Sequence, residues 1–92
     1  MSQSTVIRIL IVDDHSIVRQ GLAAIIEQEA DMSVMDQAED GVEAIKLFRQ
    51  EQPDVTLMDL RMPQITGVKA IAAICAEFAN GKIMVLGRVF KL

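Results

Sequence analysis

Three carboxylates hold positions from which they could act together. Asp13 and Asp14 follow directly on the apolar run VIRILIV, and Asp59 closes a later run, DVTLMD. Both runs read as strands. In an open parallel sheet the loops at the carboxyl ends of the strands carry the site, particularly where strand order reverses. If the first strand lies between the second and third, all three acids converge at one mouth. Three adjacent carboxylates repel and do not all stay ionised without a counter-charge. A divalent cation meets that need. Mg2+ takes oxygen ligands in an octahedron and usually keeps several waters, so two carboxylates plus a backbone carbonyl suffice.

The elements that must position these acids follow from two alternating periodicities. Val6 to Val12 is β-branched and almost continuously apolar, as a parallel strand buried on both faces is. The next segment, HSIVRQGLAAIIEQEA, places Val18, Leu22, Ile25 and Ile26 on one helical stripe. MSVMDQA is a weaker strand, interrupted by Asp36 and Gln37, and suits a sheet edge. A second helix follows, with Asp40 as N-cap, Glu43 at the reciprocal capping-box position, and Ala44, Leu47 and Phe48 as its apolar face. Pro53 ends it and frees Asp54 to Asp59 as the third strand.

After the loop RMPQIT, Thr66 can cap a third helix, whose buried side should carry Val68, Ile71, Ile74, Cys75 and Phe78. Asn80-Gly81 suits its end, and KIMVL from Lys82 is a fourth strand. The order β-α-β-α-β-α-β with short connections predicts an α/β fold: a parallel sheet with helices on both faces and right-handed crossovers.

Composition narrows the class. Ninety-two residues, half of them apolar and a quarter charged, make one domain near the small end of what folds alone. With three Phe and no Tyr or Trp the core must be aliphatic, and Met58 and Met84 are expected within it. A net charge of −4 argues against a general binder of nucleic acid or anionic membrane. The single cysteine, Cys75, excludes an internal disulfide and a Cys-rich metal site. No apolar run is of membrane-spanning length and MSQST lacks the features of a signal peptide, so a cytoplasmic location is expected. His15 reads as a helix-entry residue, Glu27, Glu29 and Asp31 as a solvated helix end, and Gly41 and Gly67 as helix-entry glycines.

Four spaced segments, ILIVDDHSIVRQGL, AEDGVEAI, PDVTLMDLRMPQITGVKAI and KIMVL, resemble the receiver domain of two-component response regulators. VDDH, VRQGL and MDLRMP are most similar to the NarL/FixJ subfamily, and the likeness runs from Ile7 to Leu86. It implies a flavodoxin-like, doubly wound parallel sheet of order 2-1-3-4. It also implies that Asp59 is the phosphoacceptor, taking a phosphoryl group from a sensor histidine kinase or a small acyl phosphate. Asp13 and Asp14 would then hold Mg2+ or Mn2+ with Asp59 and the backbone carbonyl of Arg61, and Pro63 would fix the turn that carries that carbonyl. Such a domain is a phosphoacceptor in a transcriptional regulator, at most catalysing its own phosphorylation. Phosphoryl transfer asks a protein mainly for in-line positioning and charge neutralisation, which the acid cluster suits.

The sequence departs from that family after the fourth strand, and reads as a single receiver domain, residues 1–92, truncated before the fifth βα unit and with an atypical tail of about six residues. Gly87 stands where the family carries a Thr or Ser switch hydroxyl, and Arg88 where it carries a small residue. The family's Lys at the end of strand 5 has no counterpart, since Lys91 lies too near Gly87 in sequence. Losing one preorganised oxyanion donor typically costs about 10²–10³ in rate, so slow phosphorylation is expected. An exposed fourth-strand edge invites self-association, with Val89, Phe90 and Leu92 extending or covering it. The competing reading is a non-switching interaction module. A Mg2+-dependent phosphatase is set aside for want of an Asp-x-Asp nucleophile. Nothing encodes a helix-turn-helix, so this chain alone is not expected to bind DNA.

Overall fold

In the computed structural model, residues 6–60, 67–78 and 82–86 are described. They form β1 (Ile7–Val12), α1 (Ser16–Glu27), β2 (Met32–Ala38), α2 (Gly41–Glu51), β3 (Val55–Asp59), α3 (Gly67–Glu77) and β4 (Ile83–Leu86). The strands make one parallel sheet in the order β2-β1-β3-β4, so β1 does lie between β2 and β3.

The unbroken apolar run of β1 is explained by its two buried faces. Leu10 and Val12 join Ala38, Ala44, Phe48, Met58, Ala70 and Ile74 in the core under α2 and α3. Ile9 and Ile11 point the other way and meet Ile26, with Leu22, Ala23, Val34 and Leu57 packed around them under α1. Alternation along one strand thus feeds two cores. Phe48 and Phe78 meet at 4.9 Å between ring centroids, tilted by 52°, and so join α2 to α3. Above that contact Arg49 Nε donates to both carboxylate oxygens of Glu77, at 2.8 and 2.9 Å.

The helix boundaries have local causes. Asp40 Oδ1 accepts the Glu43 N–H at 2.8 Å, as expected of the N-cap, while Glu43 reaches back to the N–H of Glu39 rather than of Asp40. At the other end of α2, Gln52 takes a left-handed conformation (φ 45°, ψ 69°). The Arg8 guanidinium donates there to the carbonyls of Glu51 and Gln52, which satisfies acceptors that the helix end leaves open. Asp54 Oδ2 takes the Arg8 N–H at 2.8 Å, fastening the entry of β3 to β1.

Several expectations are corrected. Ile25 is exposed, because α1 turns Leu22, Ala23 and Ile26 to the sheet; Ile17, Gly21 and Ile25 lie beside that stripe in solvent. On α3 the buried residues are Gly67, Ala70 and Ile74, with Ile71 and Phe78 partly covered, while Val68 and Cys75 are exposed. Met58 is fully buried, but Met84 is 60% exposed: it pairs with Leu57 on the face that α1 covers only over β1 and β2. Glu27 is more than a solvated helix end, since its Oε2 takes the Val34 N–H at 2.7 Å. That bond lies next to a bulge in β2, where the pairing with β1 skips Met35. The Thr66 cap, the Asn80-Gly81 helix end and the tail from Gly87 lie outside the described residues.

Candidate functional site: an acid cluster at the carboxyl ends of β1 and β3

The strand ladders deliver the acids. Val12 pairs with Met58 of β3 and with Ala38 of β2, so Asp13 and Asp59 emerge side by side at the same end of the sheet. The Asp13 N–H donates to the Ala38 carbonyl at 3.0 Å, continuing the β1–β2 ladder by one residue. The Asp13 carbonyl accepts from Arg19 Nη1 of α1 at 2.6 Å. Asp13 is therefore held at both backbone groups before its side chain does anything.

The Asp13 carboxylate is fully buried and Asp59 is 3% exposed. Asp13 Oδ1 accepts the His15 N–H at 2.8 Å, an Asx turn that bends the chain from β1 into α1. His15 is the N-cap residue of α1 by its backbone, yet its side chain makes no cap. Its Nδ1 instead lies 3.1 Å from Asp13 Oδ1 and 2.9 Å from Asp14 Oδ1. Asp14 is partly exposed at the rim.

Ligand atoms of Asp13, Asp14, His15 and Asp59 all lie within 4.8 Å of one another. Two nearly inaccessible carboxylates with a third at the rim form a hard, anionic, oxygen-rich set, and such donors fit a divalent cation. Gly67 closes the floor. Its N–H donates to the Leu60 carbonyl at 3.1 Å, and a Cβ built there would overlap the carbonyl oxygen of Asp59 and lie 2.6 Å from Cα of Leu60. Gly67 is thus a packing requirement behind Asp59 as well as a helix-entry residue.

The three aspartates read from the sequence are brought together. Arg61, Met62 and Pro63 lie outside the described residues, as do Gly87, Arg88 and Lys91. The sequence places His15 beside the acids, but it reads there as a helix-entry residue rather than a cluster member, and Arg19 has no role in that reading. A signal existed for both: His15 directly follows two acids, and Arg19 stands one helical turn beyond it on the same face.

The response regulator receiver domain family matches residues 9–89. The transcriptional regulatory protein LiaR of Bacillus subtilis is 46% identical over 80 residues, covering 87% of this chain and 38% of LiaR. The chain therefore spans under two-fifths of the length of that relative. A LuxR-family two-component response regulator from Aurantimonas superposes with a TM-score of 0.84 at 36% identity, over 88% of this chain and 58% of that one. The CheX–CheY–BeF3–Mg2+ complex from Borrelia burgdorferi matches with a TM-score of 0.81 at 26% identity, over 85% of this chain and 59% of that one.

Proposed function

This chain belongs to the response regulator receiver domain family, and on that premise we propose that Asp59 is its phosphoacceptor. The observation that carries the reading is the placement of Asp59: nearly inaccessible, last in β3, and within 4.8 Å of ligand atoms from Asp13, Asp14 and His15. A carboxylate oxygen of Asp59 forms the new bond to phosphorus, the donor's P–N bond breaks, and its electron pair returns to the imidazole of a histidine kinase. With an acyl phosphate the P–O bond breaks instead and the carboxylate leaves.

Asp13, Asp14 and Asp59 would hold Mg2+ or Mn2+, with the Arg61 carbonyl as the further ligand that the family pattern supplies. The bound ion would neutralise phosphoryl oxygen charge and fix the in-line geometry. The chain's own part is to hold the acids still, through the Ala38 and Arg19 bonds on Asp13 and the Gly67 floor behind Asp59. The BeF3 and Mg2+ of the CheY complex support carrying both ligands to this cluster.

A sensor histidine kinase in the cytoplasm is the proposed donor. The solvent-facing apolar stripe of Ile17, Gly21 and Ile25 on α1 begins three residues past Asp14, where a donor protein would approach. DNA contact is proposed to lie in the part of such transcriptional regulators that this chain does not cover. Self-association is a second reading, supported by β4, which pairs only with β3 among the described residues.

The test incubates the chain with Mg2+ and acetyl phosphate beside an Asp59→Asn control, and measures intact mass. One phosphoryl adduct on the chain and none on the control is expected. No adduct together with no cation affinity would refute the phosphoacceptor reading. Light scattering across a concentration series tests the second: a monomer at every concentration would dismiss it.

A further inference from the structure

We propose that His15 is a direct ligand of the cation held by the acid cluster, and that it biases the site toward divalent first-row transition ions over Mg2+. The inference rests on the reading of that cluster as a cation site. His15 Nδ1 lies 2.9 Å from Asp14 Oδ1 and 3.1 Å from Asp13 Oδ1. In an octahedron with metal–ligand distances of about 2.1 Å, neighbouring ligand atoms stand about 3 Å apart. The nitrogen stands at that spacing from both oxygens as the donor of hydrogen bonds to them, which a cation entering among the three atoms would replace.

The ring's place is set by its backbone. The His15 N–H is fixed on Asp13 Oδ1 at 2.8 Å, and the His15 carbonyl accepts the Arg19 N–H at 3.1 Å, so only the side-chain torsions need to adjust. At those distances Nδ1–H donates to the two carboxylates, so coordination displaces that proton, to Nε2 or to solvent, as the cation takes the Nδ1 lone pair. The neutral ring then carries its proton on Nε2. With the side chain 58% exposed, that N–H can stay hydrated, and ligation buries no unpaired donor.

An imidazole ligand discriminates among cations. Mg2+ prefers oxygen donors and gains little from nitrogen, whereas affinity for nitrogen ligands rises from Mn2+ through Fe2+, Co2+ and Ni2+. Three carboxylates alone would not separate Mg2+ from Mn2+ in this way. His15 supplies the one borderline donor in an otherwise hard set.

Mn2+ is the probe, because its electron spin reports directly on the atoms it touches. Loss of the free-ion signal measures binding, and echo-envelope modulation from 14N shows nitrogen in the coordination shell. The unaltered chain should bind Mn2+ with clear 14N modulation, and His15→Ala and His15→Gln should remove it. Both variants should also lower the ratio of Mn2+ to Mg2+ affinity on the order of tenfold. Mn2+ bound without nitrogen modulation overturns the role of His15 and leaves the acids as a cation site. No binding of Mn2+ by the folded chain overturns the cation site and, with it, the role of His15.

Discussion

Gly67→Ala puts one methyl group against the backbone that carries Asp59. The new Cβ would overlap the Asp59 carbonyl oxygen and stand 2.6 Å from Leu60 Cα, where ordinary contact begins at 3.4 Å. Relief from Leu60 alone requires about 0.8 Å of movement, and both obstacles are backbone, so no side-chain rotamer can supply it. Overpacking of this kind costs about 1–3 kcal/mol, against a helix-propensity gain of at most about 1 kcal/mol. If the movement falls on Asp59, a misplacement of this order costs about 10²-fold in rate.

Gly21→Ala is the matched control. Gly21 lies inside α1 with nothing among the described residues within 4 Å of an added Cβ, so the same substitution should stabilise by about 1 kcal/mol there. Urea midpoints of the two variants should move in opposite directions. Initial rates of the acetyl phosphate adduct should fall about a hundredfold for Gly67→Ala only. A Gly67→Ala protein as stable and as fast as Gly21→Ala would refute the packing reasoning outright.

Thr56 is fully buried in β3 and its Oγ1 has no hydrogen-bond partner among the described residues, so Thr56→Val should stabilise by about 1 kcal/mol, read as a higher urea midpoint. Gln52→Gly should relieve the left-handed backbone at the end of α2 while keeping the carbonyl that Arg8 binds, for a gain of about 0.5–1 kcal/mol by thermal melting. The hydrogen bond to Asp36, then burial and its charge, raise the Glu51 carboxyl above its ordinary 4.5. The folded state then binds that proton more tightly than the unfolded one, so this contact costs stability at neutral pH and is relieved as pH falls through the raised value toward 4.5. Asp36→Asn should therefore stabilise at pH 7, with an advantage that shrinks on acidification. Glu77 runs the other way: Arg49 holds its carboxyl below 4.5, so the bridge's contribution is present above that value and lost as pH falls through the lowered one. Arg49→Met should accordingly flatten the acid limb of a stability-versus-pH curve.

The acid cluster was legible because strand ends are legible. Asp13 follows a run whose apolar continuity betrays two buried faces, and Asp59 ends another, so parallel order alone brings them together. The contact of His15 was only half legible: its place after two acids hinted at it, but the approach depends on an Asx turn that bends the chain back over Asp13. Helix stripes failed for a different reason. Periodicity tells which residues are apolar, while the width of the sheet decides how much of that arc is covered; Ile25, Val68 and Cys75 fall just past the covered part. Met84 was misjudged for the complementary reason, since apolar character in a strand does not reveal whether a helix lies over it.

The bond from Glu27 to the Val34 N–H, beside the bulge that skips Met35, has a consequence for growth. It occupies a donor of β2 and kinks the strand, so this rim of the sheet is a poor template for another strand. Among the described residues the other rim is β4, which pairs only with β3. A unit with one reactive rim behaves like a monofunctional monomer in a polymerisation: two of them react with each other and the chain is terminated. Were copies to join through β4, they would stop at pairs, with the Glu27 carboxylate and the bulge beside it together blocking growth at the other rim.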